Sequence, residues 1–288
     1  MAHPTVHACR HAAETLVDWT PRRSLFLRQP RVIANGLPKA GTNLLVKALT
    51  EAAGLRRSRW AIHGRTELPG QPGPTMPVGV DRPRQVAVSG FRSYTRCIAP
   101  GTVVSAHLPF SRSAADVLAE LGYRVIVIVR DPRDVAISLA NYVQSLPNHP
   151  LHQRFATAEP AQRLTWTITG VAGELDDLAR RIRRVLAWGT WPAALVVRFE
   201  DLIGPAGGGD EQTQLTTLST LAAHAEAPLT RDDAKAAGRR LFGGTRTFRQ
   251  GQIGGWRTQL NSDHVAQLKQ TAGDLLIELG YEIDDDWR

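Results

Sequence analysis

Cysteine is nearly absent from this chain of 288 residues: only Cys9 and Cys97 occur. Two thiols make neither a disulfide framework nor a metal-ligand set, and a reducing cytoplasm is the simplest home for such a sequence. Long apolar runs are missing too. None approaches the roughly 18 residues needed to span a bilayer, and Met1–Arg31 mixes His, Arg and Pro without the apolar core of a signal peptide. The expectation is a cytoplasmic protein with no transmembrane segment. Acidic residues are the scarcer charge, 27 against 35 Lys and Arg, which leaves a net charge of +8. A basic balance suits anionic ligands such as nucleotides, sulfated or phosphorylated substrates, nucleic acid or membrane surfaces. The arginines are scattered rather than tracked along one face, so an arginine-rich proteome accounts for them equally well.

What is present is globular material. A hydrophobic content of 42% with 22% charged residues excludes a disordered or fibrous chain and leaves enough apolar side chain for a sizeable core. Tyr123–Val129 is apolar without alternation, the pattern of a strand buried on both faces. Val32–Asn35, Gln85–Ser89, Gly101–Ser105 and Leu195–Arg198 read as further strands. Helices are expected over Thr42–Ala53, Ser113–Leu121, Asp134–Val143, Gln162–Ala187, Leu215–Ala225, Arg231–Leu241 and Asp263–Leu279. Arg56–Arg84 and Gln144–Pro160 show no period and read as long irregular connections, and Pro205–Glu211 as a flexible linker. Strands alternating with helices predict the α/β class: a P-loop-like three-layer fold, with a central parallel sheet and helices on both faces. Residues 1–30 read as an N-terminal extension and 31–288 as a single domain.

The stretch from Val32 to Leu45, VIANGLPKAGTNLL, organises the rest. It reads as a buried strand, a tight loop and the start of a helix. Gly36 and Gly41 permit backbone angles and close approach that a Cβ would block. Thr42 and Asn43 suit a helix start, where first-turn amides have no partner inside the helix. Those amides and the positive end of the helix dipole make an anion site, to which Lys39 adds a full charge. The pattern is close to the P-loop, Gly-x4-Gly-Lys-Thr, yet Gly41 is followed directly by Thr42 and the lysine stands in mid-loop.

Three further pieces fall after strands or near the C-terminus. Arg130, in RDPRDVAIS, comes straight off the Tyr123–Val129 strand, with Ser138 two helical turns along. Its planar fork suits a phosphate, although a salt bridge to Asp131 or Asp134 is the plainer use, and Ser138 could be only part of a polar helix face. His107 follows the Gly101–Ser105 strand and is a candidate general base, since an unperturbed imidazole titrates near pH 6.5, about working pH. Phe248–Arg257, FRQGQIGGWR, has glycines that let backbone amides close over an anion while Arg249 neutralises it.

In these pieces the chain resembles the sulfotransferases that use 3′-phosphoadenosine 5′-phosphosulfate (PAPS). Pro38–Leu45, PKAGTNLL, is similar to the family's 5′-phosphosulfate loop, Pro-Lys-Ser-Gly-Thr-Thr-Trp-Leu, and Arg130–Ser138 to its 3′-phosphate motif. Arg249–Arg257 resembles its C-terminal Arg-Lys-Gly-x-x-Gly-Asp-Trp-Lys. His107-Leu-Pro109 resembles the Lys-Thr-His-Leu-Pro segment that carries the base of the cytosolic branch, and Phe199–Leu202 its Tyr-Glu-Asp-Leu. The matches run in order from about residue 31 to 260. The resemblance implies a PAPS donor held by Pro38, Lys39, Ala40, Gly41, Thr42, Asn43, Leu44, Arg130, Ser138, Phe199, Arg249, Gln250 and Gly251. It implies His107 as base, Lys39 as stabiliser of the leaving group, and no metal. A carboxylate from elsewhere is the rival base. There are departures: Leu44 replaces a tryptophan that stacks on adenine, Ser105 a lysine two residues before the base, and Gln250 and Gly255 a lysine and an aspartate. They suggest a distant, bacterial branch with its own acceptor.

Two other readings compete. A P-loop kinase or other nucleoside triphosphatase would explain the phosphate loop, but no lysine follows Gly41 and the C-terminal glycine loop has no place in it. A non-catalytic module for nucleic acid or acidic glycans would explain the charge alone; nucleic acid is not expected as a partner. The partner implied by the resemblance is an acceptor bearing a hydroxyl, on a sugar, a glycolipid or another small molecule. Arg56–Arg84, Phe91–Arg96 and Gln144–Trp166 are expected to line its pocket. A homodimer is compatible with the sequence but not specified by it.

Overall fold

The structure, a computed structural model, describes residues 29–244 and 251–287. Its strands are β1 (Arg31–Gly36), β2 (Arg56–Ile62), β3 (Thr75–Val78), β4 (Arg84–Ala87), β5 (Thr102–Ala106), β6 (Tyr123–Val129) and β7 (Ala194–Arg198). Five of them form a parallel sheet in the order β2-β5-β1-β6-β7. β3 and β4 make a separate antiparallel pair. The α-helices are α1 (Thr42–Ala53), α2 (Val88–Arg96), α3 (Arg112–Glu120), α4 (Pro132–Ser145), α5 (His152–Thr157), α6 (Pro160–Thr169), α7 (Leu178–Leu186), α8 (Phe199–Ile203), α9 (Glu211–His224), α10 (Arg231–Leu241) and α11 (Ser262–Glu278).

Successive strand residues point to opposite faces, and both faces are covered. Val32 and Ala34 of β1 and Ile126 and Ile128 of β6 pack with Leu45 and Leu49 of α1, Leu218 and Leu221 of α9 and Leu241 of α10. Ile33, Val125, Val127 and Val129 face the other way, against α3, α4, α7 and α11. Each fully buried Leu, Ile or Val of these two layers stabilises the fold by about 1.5–3 kcal/mol. The three-layer α/β architecture expected from the sequence is therefore the observed one.

The elements differ from the expectation where burial is one-sided. Arg56–Arg84 is not an irregular connection throughout: β2 pairs with β5 at the sheet edge, with a shift in register between Arg57 and Ala61. Only Ile62 of its seven residues is buried, and the segment is arginine-rich and without apolar alternation, so pairing rather than pattern makes it a strand. Helix α2 likewise buries only Gly90, Phe91 and Thr95, and α5 interrupts the stretch Gln144–Pro160. The helix expected over Gln162–Ala187 is split into α6 and α7. Gly170 ends α6 with φ +89°, and a Cβ there would lie 2.6 Å from the carbonyl oxygen of Leu175. Pro205–Glu211 is not a free linker: Gly207 is buried, and its carbonyl accepts a 3.1 Å hydrogen bond from the amide of Ile253. Cys97 is not a free thiol, so low cysteine content does not by itself argue for a reducing compartment. Among the described residues no helix is long and apolar enough to cross a membrane.

Candidate active site

In a parallel sheet the carboxyl ends of the strands share one edge, and ligands gather outside it where the chain reverses its order. Here β1 lies between β5 and β6, and the segments leaving β1, β5, β6 and β7 meet at that edge. After β1 the chain turns through Leu37–Ala40, closed by a 3.0 Å hydrogen bond from the Ala40 amide to the Leu37 carbonyl. Lys39 takes φ +77° and Gly41 φ +108°. Left-handed backbone at a residue with a side chain is uncommon and costs about 1–3 kcal/mol. Gly41 forms the N-cap of α1 and gives the helix no side-chain cap, so the first-turn amides are open to an anion. The hydroxyl of Thr42 is buried and has no hydrogen-bond partner. Lys39 Nζ lies 4.3 Å from the ring centroid of Tyr142 on α4.

Arg130 leaves β6 with its guanidinium 4.2 Å from the Phe199 ring centroid. It donates to the Gln252 carbonyl at 2.9 Å and lies 3.6 Å from Asp134, so the salt bridge weighed at the sequence level exists. Its buried Nε is nonetheless unpartnered. Asp134 is only 4% exposed. It accepts from the amides of Gly254 at 2.9 Å and Trp256 at 3.0 Å. Burial pushes its carboxyl above the usual range, opposed by the charge of Arg130 and by these amides. Behind Arg130, the Asp131 amide donates to Glu200 at 3.0 Å, and the Tyr281 hydroxyl donates to the other Glu200 oxygen at 2.9 Å. Arg133, paired with Asp131 and Glu282, packs its guanidinium against the rings of Trp256 and Trp287, which meet each other edge to face.

His107 follows β5, and its Nδ1 is 2.7 Å from the carbonyl oxygen of Gly36 at the end of β1. The neighbouring backbone is held by a reciprocal pair at 2.9 Å: Nδ2 of the Asn35 side chain donates to the Leu108 carbonyl, and the Leu108 backbone amide donates to Asn35 Oδ1. Burial pushes the imidazole below its ordinary value. Its bond to Gly36 and the charge of Asp81 oppose that shift, while His63 and Lys39 reinforce it.

Lys39, Thr42, His107, Arg130 and Phe199 border one cavity of about 400 Å³, within the roughly 300–1,000 Å³ usual for small-molecule sites. Of the residues singled out from the sequence, Pro38, Lys39, Gly41, Thr42, Asn43, Leu44, His107, Arg130, Ser138, Phe199 and Gly251 line it. Ala40 is buried and is not among the lining residues. Arg249 and Gln250 lie outside the described residues. Asp134, Asn141, Tyr142, Leu241 and Gln252 also line the cavity and were not singled out. Asn141 and Tyr142 stand three and four residues after Ser138, so helical spacing alone places them on its face. Asp134, four residues before Ser138, falls on the same face and figures at the sequence level only as a salt-bridge partner of Arg130; Gln252 had no such signal.

The fold has counterparts among solved structures, three of which share 14–15% sequence identity with this chain. A mouse sulfotransferase, SULT7A1, crystallised with PAP, superposes with a TM-score of 0.62 at 14% identity, covering 88% of this chain and 87% of that one. Retinol dehydratase with androsterone and the inactive cofactor PAP gives 0.52 at 15% identity, covering 90% of this chain and 82% of that one. The same enzyme with retinol and PAP gives 0.50 at 14%, covering 99% and 88%. No family model matches the sequence, and no curated protein does. The architecture is that of the sulfotransferases.

Proposed function

We propose that this chain, which has the sulfotransferase fold, moves a sulfuryl group from PAPS to a hydroxyl of a small-molecule, glycan or glycolipid acceptor. The observation that carries the reading is a convergence: the loop with the displaced Lys39, the Arg130–Ser138 pair and His107 all line one cavity. Two of its buried polar atoms, Thr42 Oγ1 and Arg130 Nε, lack protein partners, as expected of groups built to meet phosphate oxygens. Thr42 with the first-turn amides of α1 would take the 5′ end of the donor, and Arg130 with Ser138 its 3′-phosphate.

Bound, the donor supplies the sulfuryl group: a bond forms from the acceptor oxygen to sulfur as the bond from sulfur to the 5′-phosphate oxygen breaks. The residues of the chain manage charge and protons around that exchange. Because the Gly36 carbonyl can only accept, His107 carries its hydrogen on Nδ1 when neutral. Its Nε2 lone pair is then available to take the proton of the acceptor hydroxyl. Lys39 and the amides at Gly41–Asn43 stabilise the charge that grows on the leaving phosphate oxygen. In this reading those donors fill the place that Mg²⁺ has in phosphoryl transfer. Residues 31–288 act as one domain in the cytoplasm, with no nucleic-acid partner.

The test has two parts. Adenosine 3′,5′-bisphosphate binds in the presence of a metal chelator, and incubation with PAPS and a panel of hydroxyl-bearing acceptors yields a product heavier by one sulfate. Tightening of ATP by Mg²⁺, with no affinity for the bisphosphate, would return the assignment to the kinase class.

A further inference from the structure

We infer that Asp134 is the positioning residue that makes recognition of a 3′-phosphate depend on the C-terminal glycine loop. The inference rests on the proposed reading of the cavity as a site for a 3′-phosphorylated nucleotide. Two side chains reach residues 252–256 at three backbone points. Arg130 donates to the carbonyl of Gln252 at 2.9 Å, while the two oxygens of Asp134 accept from Gly254 and Trp256 at 2.9 and 3.0 Å. The cation thus holds a carbonyl and the anion holds amides, and the two side chains are 3.6 Å apart. Neither can shift without loosening the other's hold on the loop.

The same arrangement fixes the guanidinium. Phe199 covers one face of Arg130, Asp134 and the Gln252 carbonyl take an edge, and the buried Nε is left without a protein partner. Gly251, Gln252 and Gly255 line the cavity beside it. A carboxylate near an anion site would ordinarily repel the ligand. Here two amides and an arginine already surround it, so its role is orientation and not contact with the nucleotide. Asparagine at this position keeps the shape, but it offers one acceptor oxygen where two amides donate, and it removes the charge beside Arg130.

The full chain and its Asp134→Asn variant are titrated with adenosine 3′,5′-bisphosphate and with adenosine 5′-phosphate, which lacks the 3′-phosphate. The variant is expected to lose about tenfold or more in affinity for the bisphosphate, the scale of one charge-assisted hydrogen bond. Its affinity for the monophosphate should stay within about twofold, a split that a general loss of stability does not produce. Arg130→Gln combined with Asp134→Asn should cost less than the sum of the two. Parallel loss of both nucleotides, or an unchanged preference for the bisphosphate, overturns the inference. If Asp134→Asn does not fold, amide hydrogen exchange at Gly254 and Trp256 decides. Bisphosphate should slow exchange there in the native chain and not in Arg130→Gln, and equal slowing in both overturns the inference. A native chain that does not prefer the bisphosphate at all ends the reading of the site itself, an outcome separate from retained preference in the variant.

Discussion

The Nδ1 of His107, at the end of β5, lies 2.7 Å from the Gly36 carbonyl oxygen at the end of β1. One contact thereby joins the candidate base to the strand that enters the phosphate loop, and it fixes the tautomer. Burial lowers the pKa of this imidazole below its usual 6.5. A base must be neutral to work, so kcat/KM should stay level through neutral pH and fall on an acid limb centred below 6.5. The sign for stability follows the same shift. Between pH 6.5 and the lower folded value the unfolded chain binds a proton that the folded chain does not, so this group's contribution is lost as pH falls through that window. His107→Ala should reduce turnover by about 10²–10⁴-fold while leaving the affinity for adenosine 3′,5′-bisphosphate nearly intact. Near-normal turnover in the variant would pass the role to a carboxylate.

Gly41 allows a second test, on the loop itself. It holds φ +108°, and a Cβ there would stand 2.7 Å from Cδ2 of Phe199 and 3.1 Å from Cδ1 of Ile128. Gly41→Ala therefore meets backbone strain and a collision with the ring that supports Arg130. The expected cost is about 1–3 kcal/mol of stability in chemical denaturation, together with weakened nucleotide binding. Gly54→Ala, at the other end of α1, also has positive φ but meets nothing within 4 Å. It should lose stability from strain alone, with nucleotide affinity unchanged. Equal losses of affinity in both variants would show that the loop geometry is not what binds.

These two glycines also show why some of the molecule is legible in the sequence. Gly41 and Gly54 bracket α1 at Thr42–Ala53, and a glycine boundary is a local signal. β6 is equally plain because burial on both faces leaves seven consecutive residues almost wholly apolar, Arg124 excepted. β2 is not, since edge pairing with β5 requires no apolar pattern and its arginines face water. In the candidate site, the residues that a motif brings together, Lys39, Thr42, Arg130 and Ser138, stand in sequence near the strand ends. Asp134 meets Gly254 and Trp256 from 120 and 122 positions away, and only the folded chain makes that contact visible.

The C-terminal segment supplies a stability prediction of the same long-range kind. Arg133 is 2% exposed. Its guanidinium lies 3.9 Å from the Trp256 ring centroid and 4.6 Å from that of Trp287, and it pairs with Asp131 and Glu282. Removing it would leave two carboxylates without their cation, and breaking a buried pair in this way costs about 3–5 kcal/mol. Arg133→Ala should show that loss in urea denaturation. Trp287→Ala, which removes one of the two rings packed against this guanidinium, should fall in the same range. Losses under about 0.5 kcal/mol, ordinary for surface substitutions, would mean that the segment does not support the turn carrying Arg130.

Lys39 separates binding from chemistry. Its ammonium is 4.3 Å from the Tyr142 ring centroid, on a residue whose left-handed φ of +77° carries a strain that the loop sustains. If the lysine served only to attract an anion, Lys39→Ala would raise KM and leave kcat alone. If it stabilises charge that appears only as the leaving oxygen departs, kcat itself should fall, by about 10²–10³-fold on the scale of lost oxyanion donors. Steady-state kinetics with PAPS, read beside the affinity for adenosine 3′,5′-bisphosphate, distinguish the two. Lys39 shares the cavity wall with His107, which favours the second outcome, since proton and leaving group are then handled together. A variant with normal kcat and only weakened binding would reduce Lys39 to an anchor and leave the amides of α1 to carry the developing charge.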